Sequence, residues 1–252
     1  MKCIGIIPAR FSSSRFPGKP LIDIDGKSMI QRVYEQASKS IDNVVVATDD
    51  LRIVKEVQRF NGQAILTSTS HKTGTDRCCE AVEKLKELNG EAFEIIVNIQ
   101  GDEPFIHPEQ ISLVIDNFRN NKTQISSLAK LITKQDDLSD INIPKLVLKS
   151  NMEAIYFSRL PIPYLVNSKD NNKISDFTFY KHIGIYGFRS DILEELAKLP
   201  PSSLEIAESL EQNRWIENGY RMQIAITEHE SYSIDTPEDL EKIQKISKTE
   251  DE

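Results

Sequence analysis

An α/β fold, built on a mostly parallel sheet with a β-rich inserted subregion, is what this sequence predicts. Three observations predict it. Short apolar runs such as Cys3-Ile4-Gly5-Ile6-Ile7 and Val44-Val45-Val46-Ala47 lack the polar alternation of a half-exposed strand, which marks strands buried on both faces. Stretches of helical period separate such runs through the first half. The second half breaks that alternation and strings strand-like segments together.

The elements follow in order. After the first strand, Ser28 caps a helix whose apolar stripe is Met29, Ile30, Val33, Tyr34 and Ala37. The second strand, Val44 to Ala47, exits into Thr48-Asp49-Asp50. Leu51, Ile53, Val54, Val57 and Phe60 trace a second helix, closed by Asn61-Gly62. Ala64-Ile65-Leu66 is a third strand, followed by a polar loop to Asp76 and a helix from about Asp76 to Leu88. Residues 94–99 form the next strand, and Pro108 opens a helix that turns Ile111, Val114, Ile115 and Phe118 inward. Residues 125–132, 146–148, 183–188 and 223–227 read as strands, and the polar stretch 167–175 as a mobile surface loop. Thr236-Pro237-Glu238-Asp239 reads as a helix start, with Thr as N-cap and Asp reaching back. The expected division is a core of residues 1–120 and 220–247, with 121–219 as the inserted subregion, all within one domain of 252 residues.

Bulk charge narrows the function. A formal net charge of −8 excludes a protein that coats nucleic acid, which needs a basic face. Any polyanionic ligand must be held by local cations, backbone amides or metal ions. No apolar run approaches a membrane-spanning length, and the run before Pro8 is too short for a signal-peptide core. Cys3, Cys78 and Cys79 lack C-x-x-C spacing, and a bridge between the adjacent pair would be strained. Reduced thiols and a cytoplasmic location are therefore expected.

Three loops carry chemistry. The stretch from Pro8 to Leu21 leaves the first strand with Arg10, Arg15 and Lys19, small hydroxyl residues and Gly18. Ligands of open α/β sheets bind at the strands' carboxyl ends, so this loop suits a triphosphate; it is neither a Walker loop nor G-x-G-x-x-G. A solvated basic cluster is the alternative. Gln100-Gly101-Asp102-Glu103-Pro104 follows another strand, and Asp102 there is placed to carry magnesium, a hard cation that prefers carboxylate oxygens; a turn aspartate is the alternative. In the third loop, His71 to Arg77, Gly74 permits close backbone approach and the Thr73 hydroxyl can bond a base or ribose. Arg77 opens a helix where an anion is favoured. A helix cap made by Thr75 beside a solvated Arg77 is the alternative, and lone His71 is not assigned as a base. Asp235 matches Asp102 in type, and two aspartates with a metal between them suit displacement at phosphorus.

Read together, these blocks resemble the 3-deoxy-manno-octulosonate cytidylyltransferase family, the CMP-Kdo synthetases of Gram-negative lipopolysaccharide assembly and outer-membrane biogenesis. The resemblance runs through Ile7-Pro8-Ala9-Arg10, Arg15 to Leu21, Val46 to Asp49, Gly74 to Arg77 and Asn98 to Pro104. It continues through Tyr156-Phe157-Ser158-Arg159, His182 to Tyr186, Ser209 to Gln212 and Asp235 to Leu240. The earlier blocks are shared by several sugar nucleotidyltransferases; the later ones select the Kdo enzyme over sialic-acid activators. The resemblance implies a Rossmann-like sheet of the nucleotide-diphospho-sugar transferase type, a homodimer, and transfer of CMP from CTP to Kdo with magnesium as cofactor. It implies that Pro8, Ala9, Arg10, Arg77 and Gln100 contact CTP, Arg15 and Lys19 its phosphates, and Asp102 and Asp235 the metal. Thr73 and Gly74 join the nucleotide set, Gln100 the substrate set as well, and Arg15, Lys19, Asp102 and Asp235 are the expected catalytic group. Arg159, His182, Tyr186, Glu211 and Gln212 would line the sugar-acid pocket, where a guanidinium fork matches a carboxylate bidentately.

Thr73 stands where this family usually has Ser, keeping the hydroxyl, and Leu148-Lys149-Ser150-Asn151 replaces a more usual acidic turn. Activation of another sugar acid, such as 8-amino-Kdo or sialic acid, is the alternative within the class. A non-catalytic nucleotide-binding protein is the alternative outside it.

Overall fold

The computed structural model describes residues 1–12, 16–166 and 173–241, which divide into two compact units. Unit 1 comprises residues 1–112 with the C-terminal return from 231, and unit 2 residues 113–230. Arg15 and most of the expected 167–175 loop fall outside the described residues.

Unit 1 is a parallel sheet in the order β6–β1–β4–β5, from β1 (Cys3–Ala9), β4 (Val44–Thr48), β5 (Ala64–Leu66) and β6 (Ile95–Asn98). Every residue of β4 and β6 is buried, including the polar Thr48 and Asn98 at their ends, as expected of mostly apolar strands covered on both faces. A small hairpin of β2 (Asp23–Ile24) and β3 (Lys27–Ser28) leads into α1 (Met29–Ala37), where the Ser28 hydroxyl accepts from the Gln31 N–H as expected. Asp50 caps α2 (Leu51–Arg59). The third helix, α3 (Gly74–Asn89), begins two residues before the predicted start. Its N-cap is Thr73, not Thr75, because Thr73 and Asp76 exchange hydrogen bonds in a capping box. From β1 the chain builds β4 and β5 on one side, then returns to place β6 on the other. The loops leaving β1 and β6 therefore diverge, and a cleft opens at their carboxyl ends.

The helix α4 (Pro108–Asp116) carries the chain into unit 2. Its strands are β7 (Ile125–Leu131), β8 (Lys145–Leu148), β9 (Ala154–Ser158), β10 (Tyr180–Arg189) and β11 (Met222–Ile226). They run in the order β11–β7–β10–β8–β9, where the β11–β7 pair is parallel and the other three pairs are antiparallel. That mixed ladder is the irregular second half seen in the sequence. Residues 113–120 and 220–230, expected in the core, lie in unit 2, where β11 pairs with Ile125–Ala129 of β7.

Helices α5 (Gln135–Ser139), α6 (Ser190–Leu196) and α7 (Ser203–Glu208) and the strand β9 had no reading from the sequence; α8 (Glu211–Glu217) follows α7. The outer edge of β9 is closed by a side chain. Asn213 of α8 accepts from the Phe157 N–H at 3.2 Å and donates to the Phe157 carbonyl at 3.0 Å, imitating a neighbouring strand. Fully buried Trp215, two residues further along α8, packs edge-on against Tyr186 and Phe188.

Asn213→Ala leaves two buried main-chain groups of β9 unpaired, so it should lower unfolding free energy by roughly 2–4 kcal/mol. Urea unfolding followed by Trp215 fluorescence measures this; a loss below 0.5 kcal/mol, about the noise of a surface substitution, would show that α8 does not depend on the amide.

Candidate active site

The cleft at the ends of β1 and β6 gathers three distant segments. Lys19 opens a single 3-10 turn, entered through Gly18 at φ 74°, a left-handed conformation that suits glycine. Asp102 lies just past β6, and Asp235 lies on the C-terminal return. The Ile234 N–H donates to the Asp102 carbonyl at 2.9 Å, and the Ser231 hydroxyl meets Glu103, so the return is stitched to the loop that carries Asp102. Beneath them Ile24, Met29 and Ile234 form a buried apolar cluster, joined by Phe16, Ile22, Phe105 and Leu240. The result is one ammonium between two carboxylates: Lys19 Nζ lies 2.7 Å from Asp102 Oδ2 and 3.0 Å from Asp235 Oδ1.

Charge in this cluster is settled by competing effects. Partial burial pushes the Lys19 ammonium down, but the facing carboxylates outweigh it and hold its pKa above the ordinary value. Burial pushes Glu103 up to about 7, against the Ser231 hydrogen bond and with help from the charge on Asp102. The neighbour of Asp102 therefore carries less than a full negative charge at neutral pH.

A cavity of about 250 Å³ opens on the cluster. Pro8, Ala9 and Arg10 line it from the end of β1; Thr73, Gly74 and Arg77 from the start of α3; Gln100 and Asp102 from the loop after β6; Lys19 and Asp235 line it as well, which brings together the predicted nucleotide and catalytic residues other than Arg15. Ser12, Pro20, Lys72 and Gly101 also line it and were not singled out from the sequence. Gly101 had a legible signal in its place between Gln100 and Asp102. A Cβ there would stand 2.7 Å from the Pro8 carbonyl oxygen, so only glycine lets the two loops pass. The Thr73 oxygen accepts from the Asp76 N–H at 3.1 Å, which leaves the hydroxyl proton for an acceptor in the cavity. Arg77 is not solvated: it is 1% exposed, with its Nη2 2.8 Å from Asp49 Oδ2 and its Nη1 2.5 Å from the Thr67 hydroxyl. His71 is a strut. It meets Glu80, whose carboxyl, despite burial, is drawn down to about 2 by Lys84, the Ser68 amide and His71.

The other predicted residues belong to unit 2, where hydrogen-bond direction fixes their states. The Ser127 hydroxyl faces the carbonyls of Ile185 at 2.8 Å and Ile183 at 3.3 Å, which can only accept its single proton. His182 Nε2, 2.9 Å from the same oxygen, must therefore be the donor, and Nδ1 the bare nitrogen facing Gln212 Nε2 at 3.5 Å. The Tyr186 hydroxyl in turn donates to Gln212 Oε1 at 3.2 Å. The relay needs a neutral imidazole, and burial alone lowers the His182 pKa to about 3. Glu211 is the first residue of α8, directly before Gln212.

Arg159 departs from the expected open fork. Its Nε donates to the Glu208 carbonyl at 2.7 Å, Nη1 to that of Ile141 at 3.0 Å and Nη2 to that of Ser209 at 3.3 Å. The Glu208 carboxylate accepts in return from the Arg159 N–H and the Ser158 hydroxyl. This reciprocal clamp fixes the corner between α7 and α8, where carbonyls freed by the helix end need donors.

Residues 4–224 match the family model described as Cytidylyltransferase. The chain is 55% identical over 246 residues to the 3-deoxy-manno-octulosonate cytidylyltransferase of Parabacteroides distasonis, covering 96% of each chain. It is 48% identical to that of Bacteroides thetaiotaomicron, over 98% of this chain and 99% of the relative. A solved structure of CMP:2-keto-3-deoxy-manno-octonic acid synthetase complexed with CTP superposes with a TM-score of 0.90 at 38% identity, covering 99% of this chain and 100% of the other.

The neutral His182 has a consequence for acid stability. Its folded pKa lies below its unfolded value, so the unfolded chain takes up a proton first and stability is lost as pH falls from about 6.5 towards 3. The slope contributed is about 1.4 kcal/mol per pH unit. In urea titrations across that window, the advantage of wild type over His182→Gln should shrink with acidity; a constant difference would mean that His182 does not titrate between the two states.

Proposed function

Because the chain belongs to the cytidylyltransferase family, we propose that it transfers CMP from CTP to the anomeric hydroxyl of 3-deoxy-D-manno-octulosonate, giving CMP-Kdo and pyrophosphate. The observation that carries the reading is the Lys19 ammonium held between Asp102 and Asp235 beside a cavity lined by Arg10, Thr73, Gly74 and Gln100. The sugar hydroxyl oxygen attacks the α-phosphorus and gives up its proton to solvent, the bridging oxygen leaves with pyrophosphate, and no side-chain nucleophile is required.

Asp102 and Asp235 bring hard carboxylate oxygens within 3.0 Å of one cation, with side chains 28% and 33% exposed. That donor set fits magnesium, which takes a few carboxylates and keeps waters and phosphate oxygens as its other ligands. When bound there, the metal would neutralise phosphate charge and acidify the sugar hydroxyl. Lys19 and Arg10 hold the phosphates and balance the charge that grows on the departing pyrophosphate. Arg15 keeps the same expected task on the sequence alone. Backbone at Pro8, Ala9 and Gly74 supports close approach to the nucleoside, and Gln100 lines the same cavity. In unit 2, His182, Tyr186, Glu211 and Gln212 receive the sugar acid, the neutral imidazole orienting Gln212 instead of supplying charge. Arg159 acts here as the brace of their supporting corner. The relatives favour Kdo over 8-amino-Kdo or sialic acid, and a catalytic role over passive nucleotide binding.

The same reading places the enzyme in the cytoplasm, in lipopolysaccharide synthesis, as a homodimer. Cys78 and Cys79 are buried without a disulfide, which supports the compartment. Among the described residues no helix is long and apolar enough to cross a membrane. Leu160, Tyr164 and Val166 of unit 2 are 63%, 82% and 81% exposed, which supports a covering partner of the same chain.

With CTP, Kdo and magnesium, the wild type should release pyrophosphate, and Asp102→Asn should lower turnover roughly 100- to 1000-fold while leaving the circular-dichroism melt near wild type. Wild-type turnover in that variant would sink the assignment of Asp102. Light scattering should give twice the chain mass, with a shift towards monomer in Leu160→Lys/Val166→Lys; a wild-type monomer at working concentration would remove the dimer.

A further inference from the structure

Two aspartates follow β4, and they are used differently. Asp50 is absorbed by its own helix: its Oδ1 accepts from the Arg52 N–H at 2.8 Å, and its Oδ2 pairs with Arg52 Nη2 at 2.6 Å. Asp49 instead crosses to α3 and meets Arg77. A cation in the first turns of a helix opposes the helix dipole, and burying it adds a desolvation cost. A buried ion pair gives little net stability over an apolar pair of similar volume, so stability alone is a poor reason for this one. Arg77 also lines the cavity. Of its five guanidinium N–H groups, one from Nη1 serves Thr67 and one from Nη2 serves Asp49; among the described residues no other hydrogen bond of this side chain occurs. Asp49 does not itself line the cavity.

We propose that Asp49, with Thr67, is a positioning residue for the nucleotide: it keeps the Arg77 guanidinium in one buried orientation, with its remaining N–H groups available to acceptors of CTP. This rests on the reading that the cavity takes CTP. A guanidinium presents donors only, and a carboxylate on its far edge fixes which donors face inward. Removing the carboxylate charge leaves Arg77 buried and uncompensated, free to turn towards solvent or to draw in water.

Asp49→Asn should weaken CTP binding about tenfold or more, read as Kd by calorimetry and as KM for CTP. Turnover at saturating CTP and KM for Kdo should stay within about threefold, the pattern of lost ground-state binding. Asp49→Glu, which restores the charge, should recover much of the CTP affinity. Thr67→Val, which removes one neutral hydrogen bond, should weaken CTP about two- to fivefold and covers the case in which Asp49→Asn fails to fold. Unchanged CTP affinity in the folded variants overturns the proposal, as does a fall in thermal stability with no change in Kd, since that marks a brace and nothing more. A wild type that binds CTP but releases no pyrophosphate contradicts the proposed reaction and leaves the role of Asp49 to be decided by the Kd values.

Discussion

The ammonium of Lys19 between two carboxylates is the constraint on which the nucleotide half of the molecule depends. Asp102 and Asp235 would repel one another at this spacing, and a single cation satisfies both. The three residues sit in segments far apart in sequence, so their meeting has to be held by something else. It is held by an apolar cluster under the cleft and by the hydrogen bond from Ile234 to the Asp102 carbonyl. Hydrophobic burial supplies the attraction, and one main-chain bond supplies the register. Paired carboxylate oxygens also suit a hard cation, so the fold and the proposed chemistry make the same demand.

In unit 2 the governing constraint is the number of protons available. Ser127 has one, two carbonyls claim it, and so the tautomer of His182 and the orientation of Gln212 follow. Burial keeps the imidazole neutral, which makes His182 a directional element. Asn213 and the Arg159–Glu208 clamp work similarly, filling main-chain valences that a strand edge and a helix end leave open. Side chains that resemble substrate ligands in a sequence are here partly spent on holding the backbone.

Legibility differed by element for physical reasons. The apolar runs of β1, β4 and β6 announce themselves because a strand buried on both faces is apolar along most of its length. The cap at Ser28 and the box at Thr236 were readable because each is local: Asp239 accepts from the Thr236 N–H at 3.0 Å within one turn. The strand β9 was not, since Ala154–Ser158 mixes exposed Ile155 with buried Phe157 and borrows its edge partner from α8. The cap at Thr73 was misplaced because Thr73 and Thr75 offer the same hydroxyl, and only the helical geometry decides which meets Asp76.

The sequence by itself determined the parallel half of the fold, the loops at its carboxyl edge and the family, because periodicity, capping and motif spacing are properties of neighbouring residues. It also named most of the cavity lining, since those residues cluster in three short loops. Only the tertiary structure decided that Lys19 bridges Asp102 and Asp235, that Arg77 is buried against Asp49, and that the Arg159 guanidinium braces three main-chain carbonyls. Those outcomes depend on which donors and acceptors meet after the chain has folded back on itself. Residue types fix the valence of each group; the fold chooses the partner.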